Sequence, residues 1–229
     1  MVRVDDPGLG SFRGVGTLGL AAGPAATAVR YRLRDVLYGF EAWKNHSNHL
    51  HWPGGSSGVT LGPGYDMRQR TRQEIFADLT AIGIDRKSAE EVAAGCAGAS
   101  GKAAEEFAAR HRQLLTLTES QEKALLDRVL PPYERAVAKL VRVPLNHNQR
   151  VALVSLVYNI GVRNFTTSRV LARLNAGDYA HARRAFASWV RSGNKVSAGL
   201  VHRRQKEMRI FATPVPASPA THELLLVPR

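Results

Sequence analysis

Eight consecutive residues, Val151-Ala-Leu-Val-Ser-Leu-Val-Tyr158, form the most apolar segment of the chain and leave no polar face. A helix of that kind is buried on all sides, so the rest of the chain must supply a shell of elements around it. Its β-branched content also permits a buried strand, but Asn148 as a cap and Gly161 as a stop favour helix. At 229 residues, with 44% hydrophobic and 22% charged, the chain is long enough to bury such a core as one domain with tails. Whole-chain disorder is excluded, and no run of about 18 apolar residues suggests a stable membrane span. The single cysteine, Cys96, excludes an internal disulfide framework and a cysteine-rich zinc site. In its Ala/Gly stretch it is expected to be an inert small core residue.

The shell is predicted to be mainly helical. Leu33, Val36, Leu37 and Phe40 follow i, i+3, i+4, i+7 spacing, giving an amphipathic helix that ends near Trp43. Thr71-x-x-Glu74, Ser88-x-x-Glu91 and Thr118-x-x-Gln121 each have the form of a capping box and open three further helices. Pro131-Pro132 breaks the last of these, and another helix runs on to about Val143. Beyond the apolar segment, helices are expected at about 167–175, 178–190 and 200–212. From His49 to Asp66 the helical pattern fails: Pro53, five glycines and two serines surround Val59-Thr60-Leu61, which predicts a tight β-hairpin or a three-stranded sheet. The fold class is therefore α+β, mostly α, with a small sheet near the N-terminus.

Residues 1–30 are read as a flexible Gly/Ala-rich arm or linker, 31–213 as the folded domain, and 214–229 as an extended tail. Leu226-Val227-Pro228-Arg229 has the form of a tag remnant. A signal peptide ending at Ala26-Thr27-Ala28 is the rival for the arm; Asp5, Asp6 and the Gly/Pro content argue against it.

Thirty-two Lys and Arg against nineteen Asp and Glu leave a net +13, enough to attract anionic partners at low salt. Nucleic acid, acidic headgroups and anionic cell wall all fit that charge. No helix-turn-helix, zinc-finger or RNP-like pattern accompanies it, so no nucleic-acid partner is expected.

Chemistry points to the N-terminal third. Glu41 lies at the end of the first amphipathic helix beside Phe40, where a carboxylate is partly desolvated, as a general acid requires. No Asp or Glu occurs from Ala42 to Tyr65; then Asp66 follows Gly62-Pro-Gly64-Tyr65. A helix-end acid, a hairpin hydroxyl at Thr60 and a carboxylate at the hairpin exit could face one another across a cleft. Cleavage of a glycosidic bond needs that set: one acid protonates the leaving oxygen while a second group activates water. Asp66 could equally cap the backbone at the hairpin exit.

Phe40-Glu41 followed by Gly58-Val-Thr60-Leu-Gly62-x-Gly64-Tyr65-Asp66 resembles the active-site strip of phage-type lysozymes, most nearly the pesticin-like muramidase domains of bacteriocins and secreted antibacterial effectors. Gln149-x-x-Ala152-Leu153, Tyr158-Asn159-Ile-Gly161, Leu174-Asn175-Ala-Gly177-Asp178, Phe186-x-x-Trp189 and Arg203-Arg204-x-x-Glu207 extend the resemblance over about residues 31–212. It implies a two-lobed lysozyme-like fold and hydrolysis of the N-acetylmuramic acid–N-acetylglucosamine bond of peptidoglycan without a cofactor. By position, Glu41 is implied as the acid, Thr60 as the water-holding residue and Asp66 as the second carboxylate. Gln149, Tyr65, Arg203 and Arg204 are implied as substrate-binding, one of the arginines reaching the catalytic Glu. Many phage lysozymes carry the second carboxylate between the Glu and the Thr; this chain has none there, so the base rests on the pesticin-like arrangement. Gln149 could instead be a helix-cap partner, and the arginines packing residues.

His46, His49 and His51 invite a metal reading, but their spacing lacks a carboxylate or thiolate partner, so they are expected to line the cleft or face water. The resemblance also implies action as a monomer in the periplasm or on the cell wall. Export would follow a non-classical route or delivery within a larger protein, with a secretion carrier or an immunity protein as further partners. Two alternatives remain at this stage: a non-catalytic basic wall-binding or membrane-disrupting domain, and a lytic transglycosylase using Glu41 alone.

Overall fold

The computed structural model describes residues 27–216. The chain order is α1 (Leu33–Glu41), β1 (Thr60–Leu61), β2 (Tyr65–Asp66), α2 (Arg72–Ala81), α3 (Arg86–Cys96), α4 (Gly101–His111), α5 (Glu119–Val129), α6 (Pro131–Leu140), α7 (His147–Ile160), α8 (Val162–Thr166), α9 (Arg169–Asn175), α10 (Tyr179–Ala185), β3 (Arg191–Ser192), β4 (Lys195–Val196) and α11 (Ala198–Ala212). The tag remnant, the signal-peptide rival and most of the predicted arm lie outside the described residues. Near the two ends of the described residues the chain meets itself: the Val29 N–H donates to the Pro214 carbonyl at 3.1 Å.

Two apolar cores divide the molecule. The larger gathers Val151–Val154, Leu156 and Val157 of α7, Phe165, Val170, Leu174, Phe186, Ile210 and Phe211, so α7 is the central buried helix its sequence predicts. The smaller joins Leu50, Val59, Leu61, Tyr65 and Met67 of the hairpin region to Ile75, Leu79, Val92 and Cys96 of α2 and α3. Cys96 is fully buried there, and burial pushes its thiol up to about 12, so it is inert. Between the lobes, Leu37 of α1 packs on Leu126 and Leu130 of the α5–α6 junction, against Tyr158 of α7. That seam fixes where α1 ends, and so where Glu41 stands.

Local signals explain most helix starts. Thr71 with Glu74 and Thr118 with Gln121 close both halves of their capping boxes, and Pro131 opens α6. Three expectations need correction. Ser88 is not a cap; Asp85, three residues earlier, accepts from the Ser88 N–H, so α3 starts at Arg86. The cap of α7 is Asn146 rather than Asn148. Asn148 lies inside the helix, fully buried, and ties the domain ends together through Tyr31 N–H and the carbonyls of Val29 and Thr213. Helix α4 was not expected, since Ser100 precedes it without a side-chain cap bond.

The hairpin is as short as predicted, two residues per strand, with Thr60 opposite Asp66 and Leu61 opposite Tyr65. His51 bridges to Thr60 on the other side and supplies a single-residue third strand. Gly64 sits at φ +92, and a Cβ there would meet the Tyr158 hydroxyl at 2.1 Å. Only glycine fits both the turn and that approach.

Candidate active site

Glu41 is the last residue of α1, and the chain leaves the helix directly after it, with Ala42 extended. Its side chain is 27% exposed, half-buried at the lip of a cleft of about 520 Å³. Thr60, Gly62, Pro63 and Gly64 of the hairpin line the same cleft, as do Trp43, His46, His51 and Trp52. The helix-end acid and the hairpin threonine therefore share one cavity.

Behind Glu41 stands a buried charge relay on α11. Arg203 Nη1 donates to the Glu41 carboxylate. Its Nε reaches Glu207 Oε1 at 3.2 Å, and its Nη2 the Ser155 carbonyl at 3.2 Å. Glu207, fully buried, also accepts from Ser155 Oγ at 2.7 Å and pairs with Arg204 Nε at 2.8 Å. Spacing of one helical turn puts Arg203 and Arg204 on either side of Glu207. Burial of a guanidinium is costly unless it is paired, and here Glu41 and Glu207 balance the two arginines. Burial also pulls the Arg204 guanidinium down to about 10, against the pull of Glu207. Of the two arginines, Arg203 reaches Glu41; Arg204 packs behind it.

Asp66 has a different setting. Its carboxylate accepts from Gly58 N–H at 3.2 Å and from Arg68 N–H at 2.8 Å, the hairpin-exit cap foreseen as its alternative role. A Cβ on Gly58 would lie 2.5 Å from that carboxylate, so the glycine is required for the approach. Asp66 lines a second cavity of about 490 Å³ with Arg68, Arg70, Glu74 and Tyr133, and Gly64 borders both cavities. Thr60 and Asp66 are cross-strand neighbours, so their side chains rise from one face of the hairpin.

Two implied substrate contacts lie elsewhere. Tyr65 is fully buried in the smaller core, its hydroxyl donating to Asp78 at 2.8 Å, because the strand alternation that turns Asp66 outward turns Tyr65 inward. Burial and that acceptor hold its phenol far above the ordinary range. Gln149 spends its side chain on the Asn146 N–H at 2.9 Å, closing the α7 capping box, and does not line the Glu41 cleft. Of the histidines, His46 and His51 face the cleft, while His49 Nδ1 contacts the Leu115 carbonyl at 3.0 Å. Burial depresses both cleft imidazoles, so they stand neutral near pH 7. Among the described residues, no group of three or more His, Cys, Asp or Glu could hold a metal ion.

Three functional residues had no role assigned from sequence. Glu207 belonged to a recognised motif, but its part as the hub of both arginines did not. Ser155 carried a signal: a lone hydroxyl in an otherwise apolar buried helix needs a partner. Glu122 of α5 is buried and accepts from Ser47 Oγ at 2.6 Å and Tyr38 Oη at 3.0 Å, anchoring the turn that follows Glu41.

Comparison with known proteins adds kinship to this geometry. The sequence model of the phage lysozyme family matches residues 83–207. That span holds the Arg203–Arg204–Glu207 relay and starts after Glu41, Thr60 and Asp66. The chain is 47% identical over 88 residues to the SAR-endolysin of Escherichia phage Mu, covering 38% of this chain and 52% of that protein. It is 41% identical over 97 residues to the endolysin of Salmonella phage P22, covering 42% of this chain and 66% of that one. The matches thus span about half to two thirds of these relatives' length. Among solved structures, the muramidase domain of SpmX from Asticaccaulis excentricus superposes with a TM-score of 0.54 at 26% identity, over 82% of this chain and all of that one. A P22 lysozyme mutant superposes at 0.54 and 27% identity, over 81% and 98% of the two chains. With the family's sequence model matching more than half of this chain, and solved muramidase and lysozyme structures superposing on about four fifths of it, the chain belongs to the phage lysozyme family.

Proposed function

We propose that the protein is a muramidase that hydrolyses the β-1,4 bond between N-acetylmuramic acid and N-acetylglucosamine in peptidoglycan. The observation that carries this reading is the shared cleft: Glu41, backed by buried Arg203, opens on the same cavity as Thr60. Glu41 gives its proton to the glycosidic oxygen as the bond breaks. Arg203 then stabilises the carboxylate left behind and keeps it aimed at the leaving group. A water held by the Thr60 hydroxyl attacks the anomeric carbon from the opposite side. Asp66, across the ladder from Thr60, takes that water's proton, giving inversion. The two backbone N–H groups on Asp66 hold its carboxylate in one orientation.

The same backbone grip on Asp66 favours a second reading, a lytic transglycosylase that relies on Glu41 alone. Mass spectrometry of fragments from digested peptidoglycan separates the two: reducing ends mean hydrolysis, anhydro-muramic ends mean transglycosylation. Glu41→Gln tests both, with an expected loss of at least about a hundredfold in wall lysis and an unchanged fold by circular dichroism. A Glu41→Gln protein that still clears purified peptidoglycan counts against Glu41 as the acid, whereas one that loses wall lysis yet keeps full killing of cells favours a wall-binding or membrane-disrupting domain. The muramidase reading also carries action on the cell wall, and with it delivery by a secretion carrier or a larger protein and control by an immunity protein.

A further inference from the structure

The mechanism uses one side of the Glu41 cleft and leaves the other unexplained. Trp43 is 68% exposed, the largest exposure of any large apolar side chain among the described residues. It does not stand alone. Its ring lies 4.6 Å from that of His46, and His46 lies 4.4 Å from His51, centroid to centroid. These three rings and Trp52 all line the cavity that holds Glu41 and Thr60.

The backbone that carries these rings is held from behind, and the Trp52 ring by its own Nε1. Ser47 Oγ accepts the Trp43 N–H at 3.0 Å and donates to buried Glu122 at 2.6 Å. The Arg112 guanidinium donates to the Asn45 carbonyl at 2.5 Å. His51 exchanges two backbone hydrogen bonds with Thr60, at 3.0 and 2.8 Å, so it moves only with the hairpin. Trp52 Nε1 donates to the Ser57 carbonyl at 3.1 Å. A backbone fixed beneath an exposed tryptophan that packs on His46 lowers the ordering cost for a ligand that covers the ring. Neutral imidazoles beside it extend an uncharged aromatic surface.

We propose that Trp43, His46 and His51, closed off by Trp52, form a stacking wall for a pyranose ring of the glycan strand, next to the bond that Glu41 cleaves. The C–H face of a pyranose is apolar and lies flat on an aromatic ring, while its hydroxyls at the rim reach polar groups. The wall gives binding and register along the strand and takes no part in bond cleavage. This inference rests on the muramidase reading for the neighbouring bond, but its test does not require turnover.

The test uses the full chain carrying Glu41→Gln, so that the probe survives, and the N-acetylglucosamine tetramer as ligand, followed by calorimetry and tryptophan fluorescence. The parent variant is expected to bind the tetramer with a change in tryptophan emission. Adding Trp43→Ala is expected to weaken binding about tenfold, and Trp43→Phe to restore most of it. In the otherwise unaltered enzyme acting on soluble glycan strands, Trp43→Ala is expected to raise KM far more than it lowers kcat. Thermal melts of each variant report the fold independently. Equal tetramer binding with and without Trp43, or no tetramer binding by the parent, overturns the wall and leaves Trp43 as a protein-docking residue. Retention of lysis by Glu41→Gln strikes at the muramidase reading instead, so the two failures are distinguishable.

Discussion

The two lobes carry their charge very differently. Residues 27–130, with the hairpin and α1–α5, hold 14 Lys and Arg against 13 Asp and Glu; residues 131–216, with α6–α11, hold 15 against 3. Almost the whole +13 surplus thus belongs to the helical lobe. The lobe that walls the cleft is nearly balanced, and the lobe that contributes Arg203 is strongly basic. On the muramidase reading, the field that attracts an anionic wall comes mainly from the helical half, while Glu41, Thr60 and the cleft rings come from the nearly balanced half.

The buried carboxylates repeat the contrast. Glu207, in the helical lobe, is matched by two guanidinium groups. Glu122, on α5, is met by the neutral hydroxyls of Ser47 and Tyr38, and among the described residues it forms no ion pair. A charge that neutralises two buried cations should cost far more to remove than one held by hydroxyls. Glu207→Gln is expected to destabilise the protein by about 3–5 kcal/mol, since it strands a buried guanidinium. Glu122→Gln, which keeps an oxygen acceptor, should lie within about 1 kcal/mol of the parent. Chemical denaturation of both variants checks this, and equal losses would break the comparison.

A smaller effect separates the surfaces. Reversing exposed Arg163, Arg169 and Arg183 to Glu should slow association with anionic peptidoglycan about tenfold at low salt, and the difference should vanish at high salt. The same reversal at exposed Lys87, Lys102 and Arg110 should change it less, because the balanced lobe contributes little field. Binding rates measured across a salt series decide, and matched slopes for the two triple variants would sink the asymmetry.

The smallest expected effect is a pH response confined to the hairpin lobe. Burial depresses the His51 imidazole below its unfolded value of about 6.5. Its contribution to stability is complete above that unfolded value and declines as pH falls below it, because the unfolded chain then binds the proton that the folded site resists. Amide exchange at His51 and Thr60, corrected for intrinsic rates, should lose protection between pH 7 and 5 relative to amides of α7. Unchanged relative protection would remove His51 from the stability of the hairpin.

Much of this molecule is legible without coordinates where the controlling interaction is local. Thr71 and Thr118 cap helices through residues three places away, and Pro131 marks a helix start by its own ring. The apolar run of α7 announces a buried centre because no orientation of it can face water. Even local signals compete, however: Asp85 displaces Ser88 as the cap of α3, and Asn146 displaces Asn148. Of the motif residues Glu41 and Thr60 share one cleft while Asp66 lines the neighbouring cavity, because a motif does not tell inward from outward. Strand alternation sent Tyr65 into the core, and the α7 cap claimed Gln149.

What the chain alone determined is most of the helices, though not α4 or α8, the glycine-bounded hairpin and the acid at the end of α1, because each depends on neighbours a few residues apart. Only the tertiary structure decided which arginine meets that acid, how Ser155 and Glu207 steady it, and which rings wall the cleft. Glu41 and Arg203 lie 162 residues apart and Ser155 and Glu207 52 apart, so packing of α7 against α11 and of α1 against α5, rather than sequence spacing, sets those distances.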